Sequence, residues 1–275
     1  LAALAAAMGV TFREDAEPGW FGPDFIAPGA KLPKAKLGEK PPSAPVVHVS
    51  KEWIEVRAKR VASADEAIAE PDLIIEGLYG ELVSVGETLV KYNGTREIPV
   101  DAEGRIIPKY GPEDDLIIQA DRDVEFELLR CVLYTCGRAE YGRLNLAAIN
   151  PESRELEVFS LELPSGQYSR SELPKVLPQL EPKPGLFVEV GSFKLSYTDA
   201  SGEHVFNTFE KDYSVLAEEL KQMKRRRPEQ KSLIIICAAH VKYEELIHVI
   251  EVLVQPGIAL TEIYLTAKPI EDLDK

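Results

Sequence analysis

The stretch Asp115–Ala147, DLIIQADRDVEFELLRCVLYTCGRAEYGRLNLA, has a counterpart at Ser232–Ala267, SLIIICAAHVKYEELIHVIEVLVQPGIALTEIYLTA. Each copy runs from an apolar strand through a short polar turn into a helix that opens on Val-x-(Phe/Tyr)-Glu, and then reaches a second strand. Val124, Phe126 and Glu127 fall on Val241, Tyr243 and Glu244 at a constant spacing of roughly 117 residues. A two-residue gap then brings Leu144 and Leu146 onto Ile263 and Leu265. That period is too long for a solenoid and suits two tandem domains of about 100 residues each.

The 275 residues are 45% hydrophobic, enough for a core in each half. A formal charge of −14 and a pI near 4.9 disfavour nucleic acid as a partner, because phosphate binding needs positive potential. Cys131, Cys136 and Cys237 form no CxxC pair and read as buried small hydrophobes. The apolar opening LAALAAAMGV is too short for a bilayer crossing, which takes about 20 residues. It reads as the end of a membrane span or of a signal-peptide core, or else as a short amphipathic helix.

Working outward, residues 1–45 read as this apolar stub followed by a tether whose many Pro and Gly cannot sustain a helix or a central strand. Trp20, Phe21, Phe25 and Ile26 are apolar enough for part of it to dock. Residues 46–150 form the first domain. Its strands are expected at Val46–Val49 and Trp53–Val56, with a capping box from Ser63 to Glu66. A helical stripe follows at Ile75, Leu78, Leu82, Val85 and Leu89, stopped by Asn93-Gly94, and a small hairpin is expected between Ile98 and Ile107. Residues 151–185 are a Pro-rich linker with one strand-like alternation, and residues 186–275 are the second domain. The expected architecture is α+β, with two small mixed sheets, each strand-strand-helix-strand-helix-strand with helices on one face.

Catalytic constellations are scarce. There is no G-x-S-x-G, Walker loop or H-E-x-x-H, and the reading is a protein without enzymatic activity or cofactor. Gly77, Gly80 and Gly86 lie within a helical stripe, which is the wrong context for a phosphate cradle. His240, Glu244 and His248 recur every four residues and are the weak candidate for a metal site, against a solvated helix face. Asp121, Asp123, Glu125 and Glu127 stand at a strand-to-helix turn, where carboxylates cap unpaired amides. Lys224, Arg225, Arg226 and Arg227 complement a helix C-terminus, with contact to an anionic lipid or acidic partner as the alternative.

The stretch from Leu116 to Ala147 resembles the signature of the ExbD/TolR biopolymer-transport family. Ala120, Asp121, Val124, Phe126 and Leu129 carry the likeness, with Leu144 and Leu146 after the helix. The second copy keeps Val241, Tyr243 and Leu246 but has Ala238 where the Asp is expected. The resemblance spans Val46 to Ala267 and departs from the family in having two domains. It implies an anchored periplasmic protein of the bacterial inner membrane, held by a segment upstream of residue 1. Such a protein works in a proton-motive-force-driven transport or motor complex with an ExbB/TolQ/MotA-like channel subunit and an envelope protein partner or peptidoglycan. It also implies a homo-oligomer or an internal pseudo-dimer. A structural adaptor without a motor partner, and a metal- or ligand-dependent cytosolic enzyme, are the alternatives.

Overall fold

The computed structural model describes residues 24–93, 115–162, 186–190, 194–199, 202–207, 212–258, 260 and 262–267. The expected hairpin between Ile98 and Ile107 and the N-terminal apolar stretch lie outside the described residues. Two separate mixed sheets and several helices are present.

In the first half, β1 (Val46–Val49), β2 (Trp53–Val56) and β3 (Lys59–Ser63) form an antiparallel meander. Helices α1 (Ala64–Ala69) and α2 (Glu76–Asn93) follow. Strand β4 (Asp115–Ala120) lies parallel to β1, helix α3 (Phe126–Arg138) crosses over, and β5 (Arg143–Ile149) lies parallel to β4. Antiparallel β6 (Leu156–Glu162) completes the order β3-β2-β1-β4-β5-β6. The second half repeats the plan. β7 (Leu186–Val190), β8 (Lys194–Asp199) and β9 (Gly202–Asn207) precede α4 (Tyr213–Arg226), β10 (Ser232–Cys237), α5 (Tyr243–Leu253) and β11 (Glu262–Ala267), in sheet order β11-β10-β7-β8-β9.

Each half therefore has three strands before its long helix where two were expected. The sequence KRVAS of β3 carries no apolar alternation, and its residues are exposed or half-buried. It is a strand because a tight turn returns it onto β2. Arg57 and Ala58, the two residues of that turn, both have positive φ, at 53° and 60°. Two-residue hairpin loops with both centres left-handed match the strand twist but favour Asn and Gly. Ala58→Gly is accordingly expected to stabilise the chain by about 0.5–1 kcal/mol, read as a raised urea midpoint. Arg57 is better kept, since its guanidinium bonds Glu81 on α2 at 2.9 Å.

The capping box stands as expected, with Glu66 N donating to Ser63 Oγ and Ser63 N to Glu66 Oε2. The α2 stripe buries Leu78, Leu82 and Val85 against α3 and the first sheet. Gly77 has a steric reason to be glycine, because a Cβ there would stand 2.0 Å from the Val61 carbonyl oxygen of β3.

One buried cluster joins the helix-facing sides of both sheets to α2, α3, α4 and α5. A second lies on the opposite face of the first sheet, where Val46, Ile117, Ala147, Leu156 and Val158 are covered by Leu32 and Ala44. Residues 24–45 are thus a strap on the sheet rather than a free tether. Its backbone is fastened at successive points. Ala27 N donates to Gln119 Oε1 at 2.8 Å, and Gln119 Nε2 donates to the Phe25 carbonyl at 2.6 Å. Lys31 N donates to Asp121 Oδ1 at 2.6 Å. Ile149 N donates to Pro33 O and Ala35 N to Ile149 O, closing a parallel bridge at the end of β5. Glu39 then bridges the outer edge of β6 at Val158. Proline suits such a path, because it fixes an extended φ in a segment that forms few ladder bonds.

Glu157 holds the middle of the strap through Leu37 N at 2.7 Å and Gly38 N at 2.8 Å. Burial opposes its charged form. The amides of Gly38 and Leu37, the Asn150 side chain and the Lys36 charge together outweigh burial and hold the carboxyl below its ordinary value of 4.5. A depressed carboxyl stabilises the fold above its unfolded-state value and loses that contribution as pH falls through the folded-state value. The melting-temperature gap between the native chain and Glu157→Gln is therefore expected to be full near neutrality and to shrink below pH 4.5. A gap unchanged in acid counts against this role.

Among the described residues no helix is long and apolar enough to cross a membrane. The expectations of an inner-membrane anchor and of a localisation built on it are corrected accordingly: none of the described helices supplies one.

Candidate functional site

The two copies of the Val-x-(Phe/Tyr)-Glu motif meet each other. Phe126 N donates to the Val241 carbonyl at 2.7 Å, and Tyr243 N donates to the Val124 carbonyl at 2.7 Å. Glu127 N donates to Ala239 O and Glu244 N to Arg122 O, both at 3.0 Å. Every bond has its mate at the sequence spacing of the repeat, so the joint has local two-fold pseudosymmetry, centred on the antiparallel bridge between Glu125 and Lys242.

The physical reason lies at the helix starts. The first amides of any α-helix lack intrahelical partners. Neither Glu125 nor Lys242, the N-cap residues of α3 and α5, makes a side-chain cap bond. The partners come instead from the other half: Val241 and Ala239 carbonyls serve α3, and Val124 and Arg122 carbonyls serve α5. The acidic run from Asp121 to Glu127 was expected to cap α3 itself. Its N-cap carboxylate does not, because a backbone carbonyl from the opposite half already occupies that position.

The motif side chains seal this joint. Ala120, Val124, Phe126 and Leu129 of the first copy and Val241, Tyr243 and Leu246 of the second are all buried. The Tyr243 hydroxyl, 1% exposed as a residue, donates to the Ala147 carbonyl of β5 at 3.0 Å. Burial pushes that phenol well above its ordinary range. Beside the joint Lys242 Nζ lies 3.9 Å from Asp123 Oδ1. Lys36 N of the strap donates to Glu251 Oε1 of α5 at 2.8 Å, so the strap also links the halves.

Asp121 of the motif has a different task. Its Oδ1 receives Lys31 N and lies 3.4 Å from His48 Nε2, while His48 Nδ1 lies 3.3 Å from Glu55 Oε2. In the first half this Asp therefore fastens the strap to β1 and β4, a use that the second copy, with Ala238, does not repeat.

Other sequence candidates are not brought together. His240 is exposed in the turn before α5, whereas His248 packs against Tyr213 with ring centroids 5.3 Å apart and lies 3.3 Å from Glu251 Oε2. Among the described residues no three His, Cys, Asp or Glu side chains are grouped so as to hold a metal, which corrects the His240, Glu244 and His248 candidate. The helical spacing placed them near one face, but His240 precedes the helix. Burial first, and then the Glu245 and Glu244 charges, raise the Tyr213 phenol to about 12. Lys224, Arg225, Arg226 and Arg227 form the end of α4, where Lys224 Nζ bonds the Gln230 carbonyl and Arg225 lies 4.0 Å from Glu218. Cys131, Cys136 and Cys237 are free and buried, and burial raises all three thiols.

The sequence reading missed Arg122, Ala239 and Ala147, which act through backbone carbonyls and leave no side-chain signature. The available signal was indirect: two helices open without Ser, Thr, Asn or Asp at their N-caps, so their amides need partners from elsewhere. No family model, no curated protein and no solved structure matches this chain.

Proposed function

We propose that this chain is a non-enzymatic, protein-binding component of an ExbD/TolR-like transport or motor complex, with its two copies joined as an internal dimer. The finer fold reading, two ExbD/TolR-like domains in tandem, belongs to the same proposal and rests on the motif residues quoted above. Those residues support it by their use, since both copies spend the motif on one reciprocal joint and leave the sheet edges for other partners.

The observation that carries the binding role is a difference between equivalent strands. In the first half the outer edge of β5 is filled by β6, in continuous antiparallel register from Arg143↔Glu162 to Ile149↔Leu156. In the second half β11 is the equivalent strand, and no strand pairs with its outer edge among the described residues. Its sequence, EIYLTA, has a single charge, whereas the opposite type of edge at β3 carries Lys59 and Arg60, with Arg60 stacked 4.7 Å over Trp53. Charged edges resist strand addition, and a sparsely charged edge invites it. An extended segment of a partner protein pairs antiparallel with β11, its main chain supplying affinity and its alternate side chains specificity.

The test is co-expression with the ExbB/TolQ/MotA-like channel subunit and envelope partner encoded by the same genome, followed by amide exchange on any complex. Slowed exchange at Glu262–Ala267 in a stable complex is the expected result. A stable complex with unchanged β11 amides removes the edge role. Failure of every channel subunit to bind removes the motor role and leaves an adaptor.

A further inference from the structure

We infer that the outer face of the second sheet is a docking surface for residues 173–185 of this same chain, as a second strap. The inference is independent of the proposed function, because it concerns a sheet face and an intrachain occupant.

The two sheets differ on the face turned away from the helices. In β4 every residue is buried, and Ile117, 1% exposed, lies under the strap. In β10 burial alternates, so Leu233, Ile235 and Cys237 are sealed while Ile234 and Ile236 are half-buried. Tyr264 of β11, paired with Ile234, is 36% exposed. Three large apolar side chains on one small sheet face are an incompletely covered surface of the kind that binds something.

The strand register identifies the occupant. Ile117 and Ile234 are equivalent in the repeat; Val46 pairs with the first and Phe187 with the second, so β1 and β7 correspond with residue numbers that differ by 141. The same difference, applied upstream into the strap, sets Leu32-Pro33-Lys34-Ala35 on Leu173-Pro174-Lys175-Val176, and Pro41 on Pro182. The register was fixed by strand pairing alone, yet it aligns the Leu-Pro-Lys at which the first strap covers Ile117 and joins the end of β5. Leu173 is thus the counterpart of Leu32, which belongs to the same buried cluster as Ile117.

The correspondence also has a limit. Gln119 and Asp121, which clip Phe25, Ala27 and Lys31, are replaced by Ile236 and Ala238 at the equivalent positions. Those two polar clips have no equivalent in the second half, so the inference is confined to residues 173–185, with Ile236 offering apolar contact alone.

The experiment pairs Leu173→Cys with Ile234→Cys in the full chain, with Leu173→Cys and Lys59→Cys as control. The three native thiols are buried and do not compete. Under mild oxidation the first pair is expected to close within one chain in most molecules and the control pair in few. On the unsubstituted chain the Val176 amide, equivalent to the Ala35 amide that bonds Ile149 O, is expected to exchange roughly tenfold or more slowly than an open chain. Equal cross-linking of both pairs, links only between chains, or an unprotected Val176 amide each overturns the inference.

Discussion

Replacing Tyr243 with alanine is expected to cost about 3–5 kcal/mol, the range for truncating a large buried aromatic that leaves a cavity. Tyr243 is 1% exposed, its backbone amide takes the Val124 carbonyl of the other half, and its hydroxyl reaches Ala147. Tyr243→Phe separates the contributions: it keeps the ring and leaves the Ala147 carbonyl without the phenol, for about 1–2 kcal/mol. Urea denaturation followed at both Trp fluorescence and far-ultraviolet dichroism measures the two losses. Because the joint supplies the caps of both α3 and α5, the alanine variant should also split one cooperative transition into two. A loss below about 1 kcal/mol with coincident probes means that the halves are held together elsewhere.

Gly77→Val carries the second large effect, a destabilisation of about 3 kcal/mol. A Cβ at this position meets the Val61 carbonyl oxygen at 2.0 Å, and backbone cannot swing aside as a long side chain does. Either α2 moves away from β3, which loosens Leu78 and Leu82 against the core, or β3 leaves β2. Gly80, one turn along the same helix, meets nothing within 4 Å, so Gly80→Ala is the matched control and should stabilise by about 0.5–1 kcal/mol. Similar thermal midpoints for the two variants would show that the helix start is not pressed against β3. The three glycines that suggested a loose phosphate pattern thus differ in purpose, and the tightest of them serves packing.

The repeat read from Val124-x-Phe126-Glu127 and Val241-x-Tyr243-Glu244 carried the architecture well, because strand–turn–helix units announce themselves through apolar periodicity. The helix from Ile75 onward, its stop at Asn93, the capping box at Ser63 and the strand at Leu156–Glu162 were legible for the same reason. β3 was not, since its five residues lack alternation and owe their state to a left-handed turn and a neighbour. The Pro-rich stretch before β1 looked like linker because proline signals only what the chain cannot do locally. That it lies on a sheet depends on Gln119, Asp121 and Glu157, which are about 90 to 120 residues away in sequence.

The sequence by itself determined that there are two related α+β units, where their long helices and most of their strands lie, and which side chains of the motif are apolar. Only the tertiary structure decided that those motifs face each other and that each half caps the other's helix with backbone carbonyls. It also decided that His240, Glu244 and His248 do not converge. The physical reason is common to these cases. Side-chain hydrophobicity repeats along the chain and can be counted, whereas a carbonyl has the same chemistry at every residue and gains a role only from what the fold places opposite it.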